Sequence, residues 1–397
     1  MRIIIGILVF LSMHVVSCRA QEMDMAREDS LEVSLLTCSP GNKIYQYYGH
    51  SALLVREVNT GRELVFNYGL FDFGTPHFLW RFLLGECDYL CGASHLRVFL
   101  ENYRRRDRGV RKDVLNLSQV ECVRLYEALK YNCLPENASY RYNFFYDNCA
   151  TRIRDRIEDC IDGDMVYSDD VEAHSLRDIV HEFSEPYEWS LFGQDLLLGS
   201  EADKPAPREY QEFSPIYLQR DLSLAQVKDS SGSERPLVLR TEWLLRNGFA
   251  KHDKGFPLSP LACCVILLAI TAAFSAWDIY RIKPNWVFDL VMLFLQGGAG
   301  LLVTFMFFFS QHPTVNTNWL VLLFNPLPLF LLYWIIRKEI RNQRSWYHAV
   351  ARIYLFGFIC ATCFIPQYIS AEVKLLALCL LFRSMSNHII YTYRIRK

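Results

Sequence analysis

Neither sign of charge is in excess in this chain. Its 42 Lys and Arg stand against 43 Asp and Glu, a formal net charge of −1, so there is no electrostatic footprint for nucleic acid or for an acidic partner. The part before residue 257 also lacks a CxxC pair or a histidine cluster at metal-ligand spacing, and no metal or other cofactor is expected. Charge is missing in a second way: it is dense before about residue 257 and nearly absent from long stretches after it. In 397 residues with a hydrophobic fraction of 51%, this distribution describes two physical environments rather than one average domain.

The N-terminus reads as an export signal over residues 1–20. Arg2 precedes the apolar run Ile3 to Leu11, and small and polar residues lead to Ala20. Val15-Val16-Ser17-Cys18 also resembles a lipobox, which would make Cys18 a lipidated terminus. A retained anchor is the third alternative, and all three place residues 21–256 outside the cytoplasm.

Residues 257–397 carry five apolar segments, roughly Leu258–Trp277, Trp286–Phe309, Trp319–Ile336, Val350–Ile365 and Val373–Tyr391. Most approach the roughly 20 residues that a spanning helix needs. Arg281 and Lys283 fall in the first loop, none in Ser310 to Thr317, Arg337 to Arg344 in the third, and Arg394, Arg396 and Lys397 in the tail. That alternation predicts a five-helix, multi-pass inner-membrane protein with a periplasmic N-terminal domain and a cytoplasmic C-terminus. His312, Asn316, Asn318 and Asn325 collect near the outer end of the second and third segments. They read either as loop and cap chemistry or as a polar site that meets the exported domain or a lipid headgroup. Arg383 lies inside the fifth segment, as a functional intramembrane charge or as the early end of a short helix.

The exported part is α+β. Leu53-Leu54-Val55 and Leu64-Val65-Phe66 flank Asn59-Thr60-Gly61, a hairpin signal, and His50 opens the first strand. Pro76 to Leu84 reads as a helix, and so does Ser118 to Tyr131, with Ser118 and Glu121 forming a capping box. In Tyr146-Asp147-Asn148-Cys149, good N-caps precede Ala150, Ile153 and Ile157 at helical spacing. Cys149 therefore sits in the first turn of a helix, where unpaired N–H groups and the dipole favour a thiolate. Its base is expected to be His50, since strands position side chains rigidly. His77, His95, His174 and His181 read as surface or capping residues. Seven cysteines fall in the exported part: Cys38, Cys87, Cys91, Cys122, Cys133, Cys149 and Cys160. An odd number leaves one thiol free, and that thiol is Cys149 if the other six pair. A Cys149–Cys160 disulfide and a merely buried Cys149 are the structural alternatives.

The order of these pieces resembles the circularly permuted NlpC/P60 branch of papain-like folds, to which lecithin–retinol acyltransferase belongs. The wider set is similar to the Lnb family of Bacteroidetes lipoprotein N-acyltransferases. It comprises Tyr48-Gly49-His50, Phe66 to Phe73, Tyr146 to Thr151, Gly193 to Asp203, and the helical tail with His312-Pro313 and Asn325-Pro326. The resemblance implies transfer of an acyl chain from a membrane glycerolipid, through a Cys149 thioester, to the α-amine of a diacylglyceryl-modified lipoprotein. It also implies a polar residue orienting His50. Asn67 meets that need if the hairpin loop is even, Tyr68 or Asp72 if it is odd; Asn148 is a further candidate. The rival readings are a periplasmic cysteine amidase or peptidase of the cell envelope and a catalytically inactive envelope scaffold.

Overall fold

A computed structural model describes residues 30–71, 74, 76–168, 172–246 and 255–395; the expected signal peptide, Cys18 and Asp72 lie outside the described residues. The N-terminal domain begins with β1 (Leu31–Cys38), β2 (His50–Glu57), β3 (Glu63–Leu70), α1 (Phe78–Leu84), β4 (Asp88–His95) and α2 (Leu96–Arg104). β5 (Val110–Leu115), α3 (Gln119–Asn132), β6 (Ser139–Arg141), α4 (Cys149–Cys160) and β7 (Asp164–Val166) follow. Then come α5 (Leu176–Ser184), α6 (Glu188–Leu197), the short α7 (Arg208–Gln211), α8 (Pro215–Leu224), β8 (Gln226–Lys228), β9 (Glu234–Pro236) and β10 (Val238–Leu245). The C-terminal domain is helical: α9 (Pro260–Arg281), α10 (Trp286–Phe309), α11 (Leu327–Ile340), α12 (Trp346–Ala361) and α13 (Ala371–Ile395).

Seven strands form one antiparallel sheet in the order β10-β5-β1-β2-β3-β4-β6. The hairpin expected around Asn59-Thr60-Gly61 joins β2 to β3, and Arg56 pairs with Glu63. The six-residue connection 57–62 is even, so residues 50, 52, 65 and 67 share one face while Leu53, Phe66 and Tyr68 share the other. On the second face, Leu35, Leu53 and Phe66 pack with Leu125 and Leu129 of α3, Ile153 and Ile157 of α4, and Leu218 of α8. On the first, Ala52, Leu54 and Val65 pack under Leu96 and Phe99 of α2. Ser118 and Glu121 form the expected capping box of α3.

Three of the C-terminal helices, Pro260–Arg281, Trp286–Phe309 and the stretch Ala371–Arg394, are long and apolar enough to cross a membrane. α11 and α12 are shorter, at 14 and 16 residues. The third apolar segment of the sequence does not stay helical throughout. Its Trp319–Val321 stretch is a 3₁₀ turn, and a regular helix resumes only after Pro326, whose ring cannot continue one from the N-terminal side.

The two domains are bonded to one another through polar groups. Asn318, buried, donates from Nδ2 to the Leu196 carbonyl (2.9 Å), and its Oδ1 accepts from Gln367 Nε2 (3.0 Å) and from the Leu320 N–H (3.0 Å). Gln367 also donates to the Leu198 carbonyl (3.1 Å) and accepts from the Trp319 N–H (2.8 Å). Gly199 lies so close to this loop that a Cβ would stand 2.2 Å from the Thr314 carbonyl oxygen. Behind it, buried Arg177 holds Asp195 (2.6 Å), Asp203 (2.7 Å) and the Leu198 carbonyl (2.9 Å). The Gly193 to Asp203 motif is therefore a docking segment.

Arg383 is not the end of a short helix. α13 runs on to Ile395, and Arg383 bonds to Asp289 (2.7 Å) and Asp278 (2.7 Å), all three less than 4% exposed. Asn387 donates to the same Asp289 carboxylate (3.1 Å). Such a set ties α9, α10 and α13 together, at a desolvation cost that only complete pairing offsets. Arg383→Met leaves two buried carboxylates unpaired and is expected to cost about 3–5 kcal/mol. Adding Asp278→Asn and Asp289→Asn to it should recover most of the loss. Thermal unfolding in detergent checks both, and a wild-type melting temperature for Arg383→Met would contradict this role.

Candidate active site

Cys149 opens α4, and Asn148 fixes where that helix starts. The Asn148 Oδ1 accepts from the N–H groups of Ala150 (2.8 Å) and Thr151 (3.1 Å), while Thr151 Oγ1 accepts from the Asn148 N–H (2.9 Å). Its Nδ2 donates to the carbonyls of Phe144 (2.8 Å) and Phe213 (2.9 Å). Every polar group of the Asn148 side chain is thus spent on position, which makes it a cap and not a reacting group. Ala150, Ile153 and Ile157 bury one side of α4 against the sheet, so the first-turn thiol meets the end of β2.

His50, at that end of β2, lies close enough to Cys149 for each charge to stabilise the other. Its Nε2 pairs with Asn67 Oδ1 at 3.1 Å. Asn67 thus shares the His50 face and meets its ring, as the even hairpin loop requires. Tyr68 points to the opposite face of the sheet, into the core, where its hydroxyl is buried without a hydrogen-bond partner among the described residues. Gly69 has φ +87°, and a Cβ there would stand 3.6 Å from Cys149 Cβ, so this strand end can lie directly beside the nucleophile.

The electrostatics favour an ion pair. Burial pushes the Cys149 thiol up, but the His50 charge, the His50 hydrogen bond and the N–H groups of Ser51 and Cys149 outweigh it and lower the thiol below its ordinary range. Burial pulls His50 down, while the Cys149 charge and hydrogen bond and the contact with Asn67 raise it above its ordinary value. The thiolate persists down to the depressed Cys149 value and the imidazolium up to the raised His50 value. The pair is most populated between the two.

Sequence reasoning missed three groups here. Tyr140 is buried, its hydroxyl 3.9 Å from where a Gly69 Cβ would stand and without a hydrogen-bond partner among the described residues. Tyr48 of the Tyr-Gly-His motif donates to Gln194 Oε1 (2.6 Å), linking the His50 strand to the docking segment. His181, read as solvated, is half-buried and bonded to Asp195 (2.9 Å). All three contacts are long-range in sequence or involve residues with no motif of their own.

The polar residues of the helical domain are apart from the dyad. His312 bonds to the Phe82 carbonyl (2.5 Å), and Asn318 is the interdomain clamp described above. Asn325 caps α11 by accepting from the Leu327 N–H (3.2 Å), and Asn316 is exposed. Among the described residues no group of three His, Cys, Asp or Glu is arranged to hold a metal ion. Among the described residues, Cys91 and Cys133 are the one pair of exported cysteines whose sulfurs meet, at 3.1 Å.

Residues 23–182 match the model of the Lnb N-terminal periplasmic domain, and residues 251–394 match that of the Lnb transmembrane domain. The chain belongs to the Lnb family. It is thus a membrane protein of the cell envelope with a periplasmic N-terminal domain. No curated protein and no solved structure matches it. In this Lnb chain Cys149, His50 and Asn67 fall within the periplasmic match, and the Asn318–Gln367 clamp falls within the transmembrane one.

Two measurements probe the site. Alkylation of Cys149 should begin well below the ordinary thiol pKa of about 8.5. In His50→Ala burial is opposed only by the Ser51 and Cys149 N–H groups, so the alkylation midpoint should rise; an unchanged profile would remove His50 from the pair. Non-reducing peptide mapping of the exported protein should recover Cys91 linked to Cys133 and Cys149 unlinked. Cys149 recovered in a disulfide in active protein would exclude it as nucleophile.

Proposed function

We propose that this Lnb-family protein is a lipoprotein N-acyltransferase that works through a Cys149 thioester. The observation that carries the reading is a Cys149–His50–Asn67 line in a periplasmic domain clamped to a membrane domain. In this account the N-terminal domain is a permuted papain-like fold, and the C-terminal domain spans the inner membrane with five helices. The loops around Gly199 and Asn318 lie on the periplasmic side, and the basic loops after α9 and α11 lie on the cytoplasmic side.

The chemistry follows from the pair. The Cys149 thiolate attacks the ester carbonyl of a membrane glycerolipid. His50, as imidazolium, gives its proton to the departing glycerol oxygen, leaving a lysolipid and an acyl thioester on Sγ. The α-amine of a diacylglyceryl-modified lipoprotein then attacks the thioester, His50 takes the amine proton, and the Cys149 thiolate leaves as the amide forms. In this account the Cys149 and Ser51 N–H groups hold the oxyanion, with the Tyr140 hydroxyl as a third donor. A soluble wall peptide would not require a site bonded to a membrane domain, which favours acyl transfer over the amidase reading. The intact Cys149 and His50 disfavour an inactive scaffold.

Cys149→Ala should abolish acyl transfer and Cys149→Ser should nearly abolish it, since a hydroxyl gains little from the helix terminus. His50→Ala should cost on the order of 10²–10⁴-fold, and Asn67→Ala less, because it only orients the ring. Incubation with a glycerophospholipid carrying a labelled acyl chain should leave a hydroxylamine-sensitive label on wild-type Cys149. Transfer by Cys149→Ala at the normal rate would refute the thioester.

A further inference from the structure

α1 is a seven-residue helix, Phe-Leu-Trp-Arg-Phe-Leu-Leu, in which no residue is buried. Leu79 is 71% exposed, Trp80 54% and Phe82 44%, an arrangement that water does not stabilise. Its one charged side chain does not face outward with them, for Arg81 donates to the Glu86 carbonyl (3.0 Å) and to Asp88 (2.6 Å). The helix is fastened to the outer end of α10. The Gln311 N–H donates to the Leu84 carbonyl (2.8 Å), and His312 bonds to the Phe82 carbonyl. Gly85 packs so tightly there that a Cβ would stand 2.7 Å from the His312 nitrogen. The Trp80 ring lies 5.1 Å from that of Phe305. Phe305 is four residues before the end of α10, about 6 Å inside it. Trp80 is therefore level with the last turns of α10, where Phe305 also meets Phe309 (5.4 Å) and where Phe308 and Phe309 are both more than 60% exposed.

An aromatic tier lies near the dyad. Tyr142, close enough to Cys149 to feel its charge, stacks on Tyr89 (4.1 Å), and Tyr89 stacks on Phe71 (5.0 Å), seven residues before α1. We infer that α1 is sunk in the outer leaflet of the bilayer, and that it and this tier receive the acyl chain of a membrane glycerolipid on its way to Cys149. The membrane is the occupant because the exposed face of α1 is continuous with the lipid-facing surface of α10, and interfacial helices of this composition bury their apolar residues at the headgroup boundary. The inference rests on the reading of Cys149 as acyl carrier only for its second half.

The test uses full-length protein in nanodiscs of phosphatidylethanolamine with radiolabelled acyl chains. Leu79→p-benzoylphenylalanine is made in a Cys149→Ala background, so that no thioester contributes label. Val58→p-benzoylphenylalanine, in the β2–β3 turn at the far end of β2 from His50, is the control. Photolysis should join label to the protein from position 79 and not from position 58. Equal labelling from both, or none from 79, would overturn the leaflet position of α1 even if Cys149 acylation is normal. With Cys149 intact, Leu79→Glu should lower acylation by long-chain phosphatidylethanolamine, relative to a water-soluble short-chain acyl thioester, by about tenfold or more. An unchanged ratio would overturn the acyl-chain path. Failure of both donors to acylate wild-type Cys149 would refute the thioester reading while the crosslink from position 79 still reports on α1.

Discussion

Four hydrogen bonds to one buried side chain set where the chemistry can occur. With Oδ1 on the Ala150 and Thr151 N–H groups and Nδ2 on the Phe144 and Phe213 carbonyls, Asn148 decides which residue begins α4 and in what orientation. Removing such a cap costs about 1 kcal/mol, modest for the fold but large for a thiol that must meet a ring nitrogen. The sulfur then lies against the N–H groups of Ser51 and Cys149 and the His50 ring, and these outweigh the burial that would otherwise keep it protonated. The same amide that caps the helix anchors it to Phe213, just before α8, so nucleophile position and core packing are a single constraint.

That constraint is coupled to the membrane by a short relay. Tyr48, two residues before His50, bonds to Gln194. Asp195 is held by Arg177 and His181, and the carbonyls of Leu196 and Leu198 accept from Asn318 and Gln367 of the helical domain. A polar seam of this kind ties the strand that carries His50 to the helical domain.

Local rules carried much of this from sequence alone. The hairpin that begins at His50 is a local signal, and the spacing Ala150, Ile153, Ile157 puts Cys149 in a first turn, but whether Asn67 or Tyr68 shares the His50 face is decided only by the strand register. The capping box at Ser118 and Glu121 is equally local. The rest depends on tertiary contacts that no local pattern encodes. Arg177 gathers carboxylates from 18 and 26 residues away, Gln367 reaches back 169 residues to Leu198, and Tyr140 faces the dyad from a three-residue strand. The apolar run from Trp319 reads as one spanning helix by hydropathy, yet Asn325-Pro326 divides it, because backbone capping and ring geometry act below the scale of a hydropathy window.

The central claim is that the Cys149 thiol, docked at the membrane, builds the N-acyl group of lipoproteins. The most direct measurement is mass spectrometry of lipoprotein N-terminal peptides from cells whose own copy of the protein has been deleted and replaced. Replacement with the wild-type chain should give N-termini heavier by one acyl chain on the α-amine, and replacement with Cys149→Ala, at equal abundance, should leave that amine free. N-acylated lipoproteins at normal levels in the Cys149→Ala cells would contradict the account.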